Sequence, residues 1–99
     1  MINVAKKVVL FSQNGYSEEH NELLNRLIDE KILLFCSVGK DCELWHDVMD
    51  EIFVGYGEER DFFMITTWHT DDTFDEVIEF AKDFDIEGID NENIEIIKI

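Results

Sequence analysis

Residues 6–28 read KKVVLFSQNGYSEEHNELLNRLI and contain one complete strand-turn-helix unit. The run KKVVLFS (6–12) is rich in β-branched residues, which is typical of a strand buried on both faces of a sheet. QNGY is a turn signal, and Ser17 is placed to cap a helix whose first turn carries Glu18 and Glu19. Leucine and isoleucine then recur at helical spacing, at positions 23, 24, 27 and 28. The unit predicts a β-strand followed by a helix that packs on it.

The same pattern recurs twice more along the chain. A second apolar run, ILLFCSV (32–38), precedes a helix that Asp41 is placed to cap and whose apolar stripe runs from Leu44 to Phe53. A third run, DFFMITT (61–67), precedes a helix that begins with a T-x-x-E capping box at Thr73. The last run, IEIIKI (94–99), alternates in part and suits an edge strand.

Strands that alternate with helices predict an α/β fold. We expect a single βαβαβαβ domain over residues 1–99, with a four-stranded, mostly parallel sheet in two or three layers, flavodoxin-like or Rossmann-like in outline. The first and third runs have the most uniformly apolar interiors, which favours the strand order 2-1-3-4. This order places the first helix alone on one face of the sheet. The half-covered face is then a candidate homodimer surface.

Charge is the strongest global feature of the chain. There are 24 aspartates and glutamates against 8 lysines and arginines, a formal net charge of −16. Such a field repels phosphate backbones and anionic lipids, which argues against nucleic acid and membrane surfaces as partners, and it attracts basic proteins. The sequence shows neither a signal peptide nor an apolar run of about 20 residues. With only Cys36 and Cys42, we expect a cytoplasmic protein with free thiols.

A first candidate site follows from the expected strand order. In the order 2-1-3-4, the first and third strands are neighbours where the chain reverses direction, and ligands in open α/β sheets bind at such points. A small-molecule or peptide pocket is predicted there, with a histidine as donor, base or ligand. Its residues are Ser12, Asn14, Tyr16, Trp68 and His69. The alternative interpretation is that Trp68 covers the end of the core and that Thr70 or Asp71 begins the next helix.

A second candidate site is a metal centre. Cys42 and His46 are four residues apart on the second predicted helix, so they face the same way. A thiolate and an imidazole at this spacing are compatible with Zn²⁺, and His69 or Glu43 could complete the ligand set. The alternative is a buried cysteine beside a half-exposed histidine, because the chain has no C-x-x-C pair. We expect no cofactor.

The leading hypothesis is a non-enzymatic binding or regulatory module that contacts a basic protein partner. No nucleophile elbow, Walker loop or G-x-G-x-x-G fingerprint is present, so the sequence gives no positive sign of an enzyme. An immunity-type inhibitor is the most concrete form of this hypothesis. The contact would be made by acidic residues of the second and third helices, which are Asp47, Asp50, Glu51, Asp75, Glu76, Glu79 and Asp83. The alternatives are the small-molecule- or metal-binding protein above and a dimeric scaffold without a ligand.

Two resemblances accompany this interpretation. The segment TTWHTDDTFDEVIEFA (66–81) resembles small uncharacterised bacterial α/β proteins that are grouped as a domain of unknown function, and the resemblance extends over much of the chain. It implies no known activity. The layout of LWHDVMDEI (44–52), FFMITTW (62–68), VIEFAKDF (77–84) and IEIIKI (94–99) is similar to that of barstar, an acidic ribonuclease inhibitor. This second similarity is one of layout and charge, and the strand ILLFCSV departs from it.

Overall fold

The computed structural model describes residues 5–55 and 63–99, which form a parallel sheet with helices on both faces. Each strand pairs with its neighbours in parallel, which confirms the α/β fold class. A short 3-10 turn, Glu18–His20, precedes the first helix. The elements in chain order are β1 Lys7–Ser12, α1 Asn21–Asp29, β2 Leu34–Gly39, α2 Cys42–Gly55, β3 Ile65–His69, α3 Phe74–Asp83 and β4 Ile94–Lys98.

The strand order is β3-β2-β1-β4, so the expected order 2-1-3-4 is wrong. The second strand, not the third, lies beside β1 in the middle of the sheet, and residues 34–38 are all buried. β3 is an edge strand that is partly exposed along its length. The physical reason is that β3 begins only at Ile65 and runs to His69, so the apolar Phe63 and Met64 precede the strand. Residues 61 and 62 of the predicted strand lie outside the described residues.

The order of the strands decides which helices share a face. The chain moves from β1 to β2 to β3 in one direction, and right-handed crossovers put α1 and α2 on the same face. It then returns to β4, beside β1, which puts α3 alone on the opposite face. The expectation that the first helix stands alone is therefore wrong. The half-covered face is the α3 face, where Ile96 of β4 is 45% exposed.

The larger core lies between the sheet and the pair α1 and α2. It contains Val8 and Leu10 of β1, the stripe of α1, and Trp45 and Met49 of α2. Leu44, which was expected in the apolar stripe of α2, is exposed. The smaller core lies between the sheet and α3, where Val9 and Cys36 meet residues such as Val77 and Ala81. The predicted apolar stripe of α1 is thus confirmed, and α3 packs on the opposite face of the sheet.

Two local features fix the ends of the third helix. Thr73 caps its start, since the Thr73 hydroxyl accepts the backbone N–H of Glu76 at 3.2 Å and the Glu76 carboxylate accepts that of Thr73 at 2.9 Å. The predicted capping box is therefore confirmed. At the other end, the buried ammonium group of Lys7 donates to the carbonyl oxygens of Ala81 and Phe84 at 2.6 and 2.5 Å. A cation at this position also complements the helix dipole.

Of the helices in the described ranges, none has the length and apolarity needed to cross a bilayer.

Candidate functional site

The carboxyl ends of β1 and β2 are closed by contacts between their two following loops. Ser12 Oγ accepts the backbone N–H of Gly15 at 3.1 Å, and Asp41 Oδ2 accepts that of Tyr16 at 3.0 Å. Gly39 lies so close to β1 that a Cβ atom there would stand 2.4 Å from the Ser12 carbonyl oxygen. The Ser12 hydroxyl and the Asp41 carboxylate therefore hold the backbone of the loop that follows β1. The two loops are packed on each other.

Beneath these loops lies an aromatic cluster of Tyr16, His20 and Trp45. The Tyr16 ring stands perpendicular to the Trp45 ring with centroids 5.2 Å apart, and His20 stacks on Trp45 at 5.0 Å. Tyr16 also donates its hydroxyl hydrogen to the side chain of Asn21. Trp45 is fully buried, and its Nε1 has no hydrogen-bond partner among the described residues. Trp45 is part of the larger core and Tyr16 packs against it, so this cluster belongs to the α1–α2 face of the sheet.

The strands that were expected to form the predicted ligand pocket, the first and the third, are not neighbours. β2 lies between β1 and β3, so Ser12 at the end of β1 is two strand spacings, about 9.5 Å, away from β3, and Asn14 and Tyr16 follow in the loop after Ser12. Trp68 and His69 are consecutive residues within β3, and successive side chains of a strand point to opposite faces. The expectation of a shared rim depended on the wrong strand order.

One side of β3 instead joins the acidic side of α2. The Trp68 ring lies against His46, with centroids 4.4 Å apart, and is 44% exposed. His46 Nδ1 is 3.0 Å from Asp47 Oδ1, and its Nε2 is 3.4 Å from Asp50 Oδ2. The Thr66 hydroxyl donates to Asp50 Oδ1 at 2.6 Å. The result is an exposed indole beside two carboxylates, an arrangement that can bind a cation or a basic side chain.

The other side of β3 carries a second histidine with a carboxylate. His69 Nδ1 is 2.8 Å from Asp72 Oδ2, and its Nε2 is 2.9 Å from the Thr67 hydroxyl. The Phe80 ring of α3 packs edge-on against the imidazole at 4.8 Å. The side chain of His69 is only 9% exposed, whereas that of Asp72 is 47% exposed. The carboxylate, not the imidazole, is therefore the group that this side of β3 presents to solvent.

The residues proposed as metal ligands are not brought together. His46 contacts Trp68 on the α2 side of β3, whereas His69 contacts Phe80 on the α3 side. Cys42 is buried at the start of α2, where its carbonyl oxygen accepts the Ser37 hydroxyl. Across residues 5–55 and 63–99, no three histidine, cysteine, aspartate or glutamate side chains are grouped so that they could hold a metal ion.

The acidic residues predicted to contact a partner lie on two different faces. Asp47, Asp50 and Glu51 belong to α2, and Asp75, Glu76, Glu79 and Asp83 belong to α3 on the opposite face of the sheet. Asp50 is partly buried and the other six residues are exposed. The two sets therefore form two acidic surfaces, and one flat partner surface cannot cover both.

Two buried groups have shifted pKa values. Burial lowers the pKa of the Lys7 ammonium, against the opposing charges of Asp85, Cys36 and Asp83. Burial raises the pKa of the Cys36 thiol to about 11, although a hydrogen bond with Thr67 and the charge of Lys7 oppose the shift. Both groups lie in the interior on the α3 side of the sheet, so they are not presented to a partner.

The sequence reasoning missed the part that the threonines of β3 have in this site. Thr66 binds Asp50, and Thr67 binds His69. A signal was present in ITTWH, where each threonine is followed two residues later by Trp68 or His69 on the same side of a strand. Polar groups on both faces indicate an edge strand.

Comparison with known proteins places the chain in a family. No curated protein and no solved structure was found to match it. A family model matches residues 2–97, nearly the whole chain. This confirms the resemblance to an uncharacterised family that the sequence indicated. The chain belongs to the family described as a domain of unknown function (DUF7684).

Proposed function

We propose that this protein is an acidic binding module that contacts a basic protein partner, as an immunity-type inhibitor does. The observation that carries the proposal is an asymmetry between the two kinds of charge. The acidic side chains of α2 and α3 face solvent, apart from the partly buried Asp50. Several basic side chains are instead engaged within the protein. Lys7 is buried, so one of the few positive charges is withdrawn from the surface, while the net charge of the chain is −16.

Four basic side chains make contacts within the protein. Lys7 is buried at the end of α3. Arg26 forms ion pairs with Glu30 and Glu95, at 2.9 and 3.0 Å. Lys98 lies over the ring of Phe74 at 5.0 Å. Lys6 donates to the Glu30 carbonyl oxygen at 3.1 Å. These contacts weaken the local positive potential that a second acidic protein would need.

Long-range electrostatics would act on the encounter with a partner. The Debye length is about 8 Å at physiological ionic strength, so carboxylates that lie near one another on the surface act together on an approaching charge, whereas more distant ones are screened. The Cα radius of gyration is 12.8 Å, which concentrates many carboxylates on a small body. Such a field raises association rates with basic proteins and penalises acidic ones. Specificity must then come from a local surface.

The proposal is tested by the salt dependence of binding to small basic proteins. Association would be measured by fluorescence anisotropy with basic proteins and with acidic proteins of similar size, from about 0.05 to 0.5 M salt. We expect binding to basic proteins only, and a steep loss of affinity as salt rises. Equal binding to both groups, or binding to a basic protein that salt does not weaken, contradicts the proposal.

Two matched triple variants identify the face that binds. D47N/D50N/E51Q removes three charges from α2, and D75N/E76Q/E79Q removes three from α3. Glutamine at position 76 can still serve the capping box. E22Q/E87Q/E92Q removes three exposed charges elsewhere and is the control. We expect one helix variant to weaken binding at least about tenfold more than the control does. If all three variants weaken binding equally, no defined acidic surface exists.

A further inference from the structure

β3 leaves part of its backbone unpaired within the described residues. It pairs with β2 on one side only, because it is the end strand of the sheet. The backbone N–H of Ile65 donates to the Leu33 carbonyl oxygen at 2.9 Å, which turns Ile65 toward β2. Since backbone groups alternate along a strand, the N–H and C=O groups of Thr66 and Trp68 point away from β2. These outward groups are a template for another strand.

The two edges of the sheet differ in how they are protected. β4, the other edge, carries Glu95, which is paired with Arg26, and Lys98, which lies over Phe74. Charged residues on an edge strand discourage pairing with another chain. β3, with the sequence ITTWH, contains no lysine, glutamate, proline or glycine, and β-branched and aromatic residues favour extended pairing. The β3 edge is therefore better suited than the β4 edge to pairing with another strand.

Both sides of the β3 edge carry half-exposed carboxylates. The side chains of Asp47 and Asp50 are 63% and 48% exposed beside Trp68. The side chain of Asp72 is 47% exposed on the other side. A strand from a second copy of the chain would bring these carboxylates close to their own duplicates, which is unfavourable. A basic segment would meet only opposite charges.

We propose that the edge of β3 binds an extended, basic segment of a protein partner by strand addition, with Trp68 as the anchor. The backbone of the segment pairs with the outward groups of Thr66 and Trp68. Its arginine or lysine side chains on one side approach Asp47 and Asp50 and lie over the exposed indole. Those on the other side approach Asp72. This inference rests on the proposed function and names the surface and the form of the partner.

A pair of peptides separates strand addition from simple charge attraction. The first is a capped peptide of about eight residues, a length that suits a strand, in which arginine and valine alternate so that every arginine lies on one side and can approach Asp47 and Asp50. The second has the same sequence with backbone nitrogens methylated at alternate residues on its pairing edge, which removes donors and keeps every charge. We expect the methylated peptide to bind about tenfold or more weakly, because two or more backbone hydrogen bonds are lost.

Three variants of the protein test strand addition independently of the methylated peptide. T66P removes an outward N–H, and proline is tolerated in edge strands where the N–H faces solvent. T66V removes the hydroxyl but keeps the N–H. I96P removes an N–H on the β4 edge, where the Ile99 N–H donates to Phe11 and Ile96 therefore points outward. We expect T66P to abolish peptide binding, whereas T66V and I96P retain it. If T66P does not fold, the peptide pair still decides.

The outcomes separate this inference from the proposed function. If both peptides bind equally and salt weakens both, the strand-addition inference fails while the basic-partner function stands. The same conclusion holds if basic proteins bind but neither peptide does. If neither basic proteins nor peptides bind, the proposed function itself fails. A homodimer that T66P abolishes would show that a second copy occupies the edge, and this too overturns the inference.

Discussion

The Thr66 hydroxyl donates a hydrogen bond to Oδ1 of Asp50 over 2.6 Å, which ties the exposed edge of the sheet to the acidic side of α2. The bond joins two residues that are 16 positions apart in the sequence and lie in different elements. It fixes one carboxylate beside the outward backbone of β3. The site that we propose for a partner therefore has a defined geometry, even though its carboxylates are half exposed.

Loss of this bond should lower stability modestly. Valine at position 66 keeps the shape and the β propensity of threonine but cannot donate to Asp50. We expect T66V to lower the free energy of unfolding by about 1 kcal/mol, the usual net contribution of such a hydrogen bond. Urea unfolding measures this change, and T70V at an exposed neighbouring position is the control. A T66V loss no larger than that of T70V would show that the bond does not stabilise the fold.

Loss of the buried Lys7 ammonium should lower the free energy of unfolding more than loss of the Thr66 hydroxyl does. In K7M, the carbonyl oxygens of Ala81 and Phe84 lose the ammonium that now satisfies them. Since unsatisfied buried groups cost about 1–3 kcal/mol each, we expect the free energy of unfolding to fall by about 2–4 kcal/mol. K82M, at an exposed position of the same helix, should change it by less than about 0.5 kcal/mol. Unfolding in urea distinguishes the two, and equal stability of K7M and wild type would contradict this account of the α3 terminus.

The close approach of the two carboxyl-end loops makes one glycine indispensable. Gly39 has a φ of 96°, and a Cβ atom there would stand 2.4 Å from the Ser12 carbonyl oxygen. We expect G39A to lower the free energy of unfolding by about 2–4 kcal/mol through strain and steric conflict. Gly55, at the end of α2, has open space around it. G55A should therefore be neutral or slightly stabilising, and thermal unfolding of both variants checks the contrast.

The buried thiol predicts a loss of stability in alkaline solution. The pKa of Cys36 is raised from 9.0 to about 11 by burial, so the unfolded chain loses this proton first as the pH rises. The contribution of Cys36 is fully present below pH 9 and is lost between pH 9 and about 11. At about 1.4 kcal/mol per pKa unit, the loss approaches about 3 kcal/mol.

A variant isolates this effect from the other titrating groups. C36V keeps a side chain of similar size and removes the thiol. Urea unfolding at several alkaline pH values should show a steeper decline for wild type than for C36V. Parallel declines would mean that the Cys36 thiol ionises equally easily in the folded and unfolded chains.

Local patterns in the sequence predicted the elements, but they could not predict the neighbours of β3. Apolar spacing identified the three helices, and Thr73 with Glu76 marked the start of α3 correctly. The choice of a central strand depended on how far the third apolar run extends. Phe63, which made that run look buried, is 77% exposed and precedes the strand.

The error in strand order also explains the errors about the site. Ser12 and Trp68 were expected to share a rim because their strands were expected to be neighbours. β2 separates them, and contacts across a sheet are long-range properties that spacing along the chain does not encode. The pairing of Trp68 with His46, and that of Thr66 with Asp50, likewise depends on α2 packing over β3. Only the acidic character of the protein surface could be predicted from the composition.

The most direct test of the β3 edge as a partner surface is amide hydrogen exchange at Trp68. The rate would be measured by nuclear magnetic resonance with and without the alternating arginine–valine peptide, with Ile96 on the opposite edge as the internal reference. We predict that the peptide slows exchange at Trp68 by about tenfold or more and leaves Ile96 unchanged. Tight binding of the peptide without slower exchange at Trp68 would contradict strand addition at this edge.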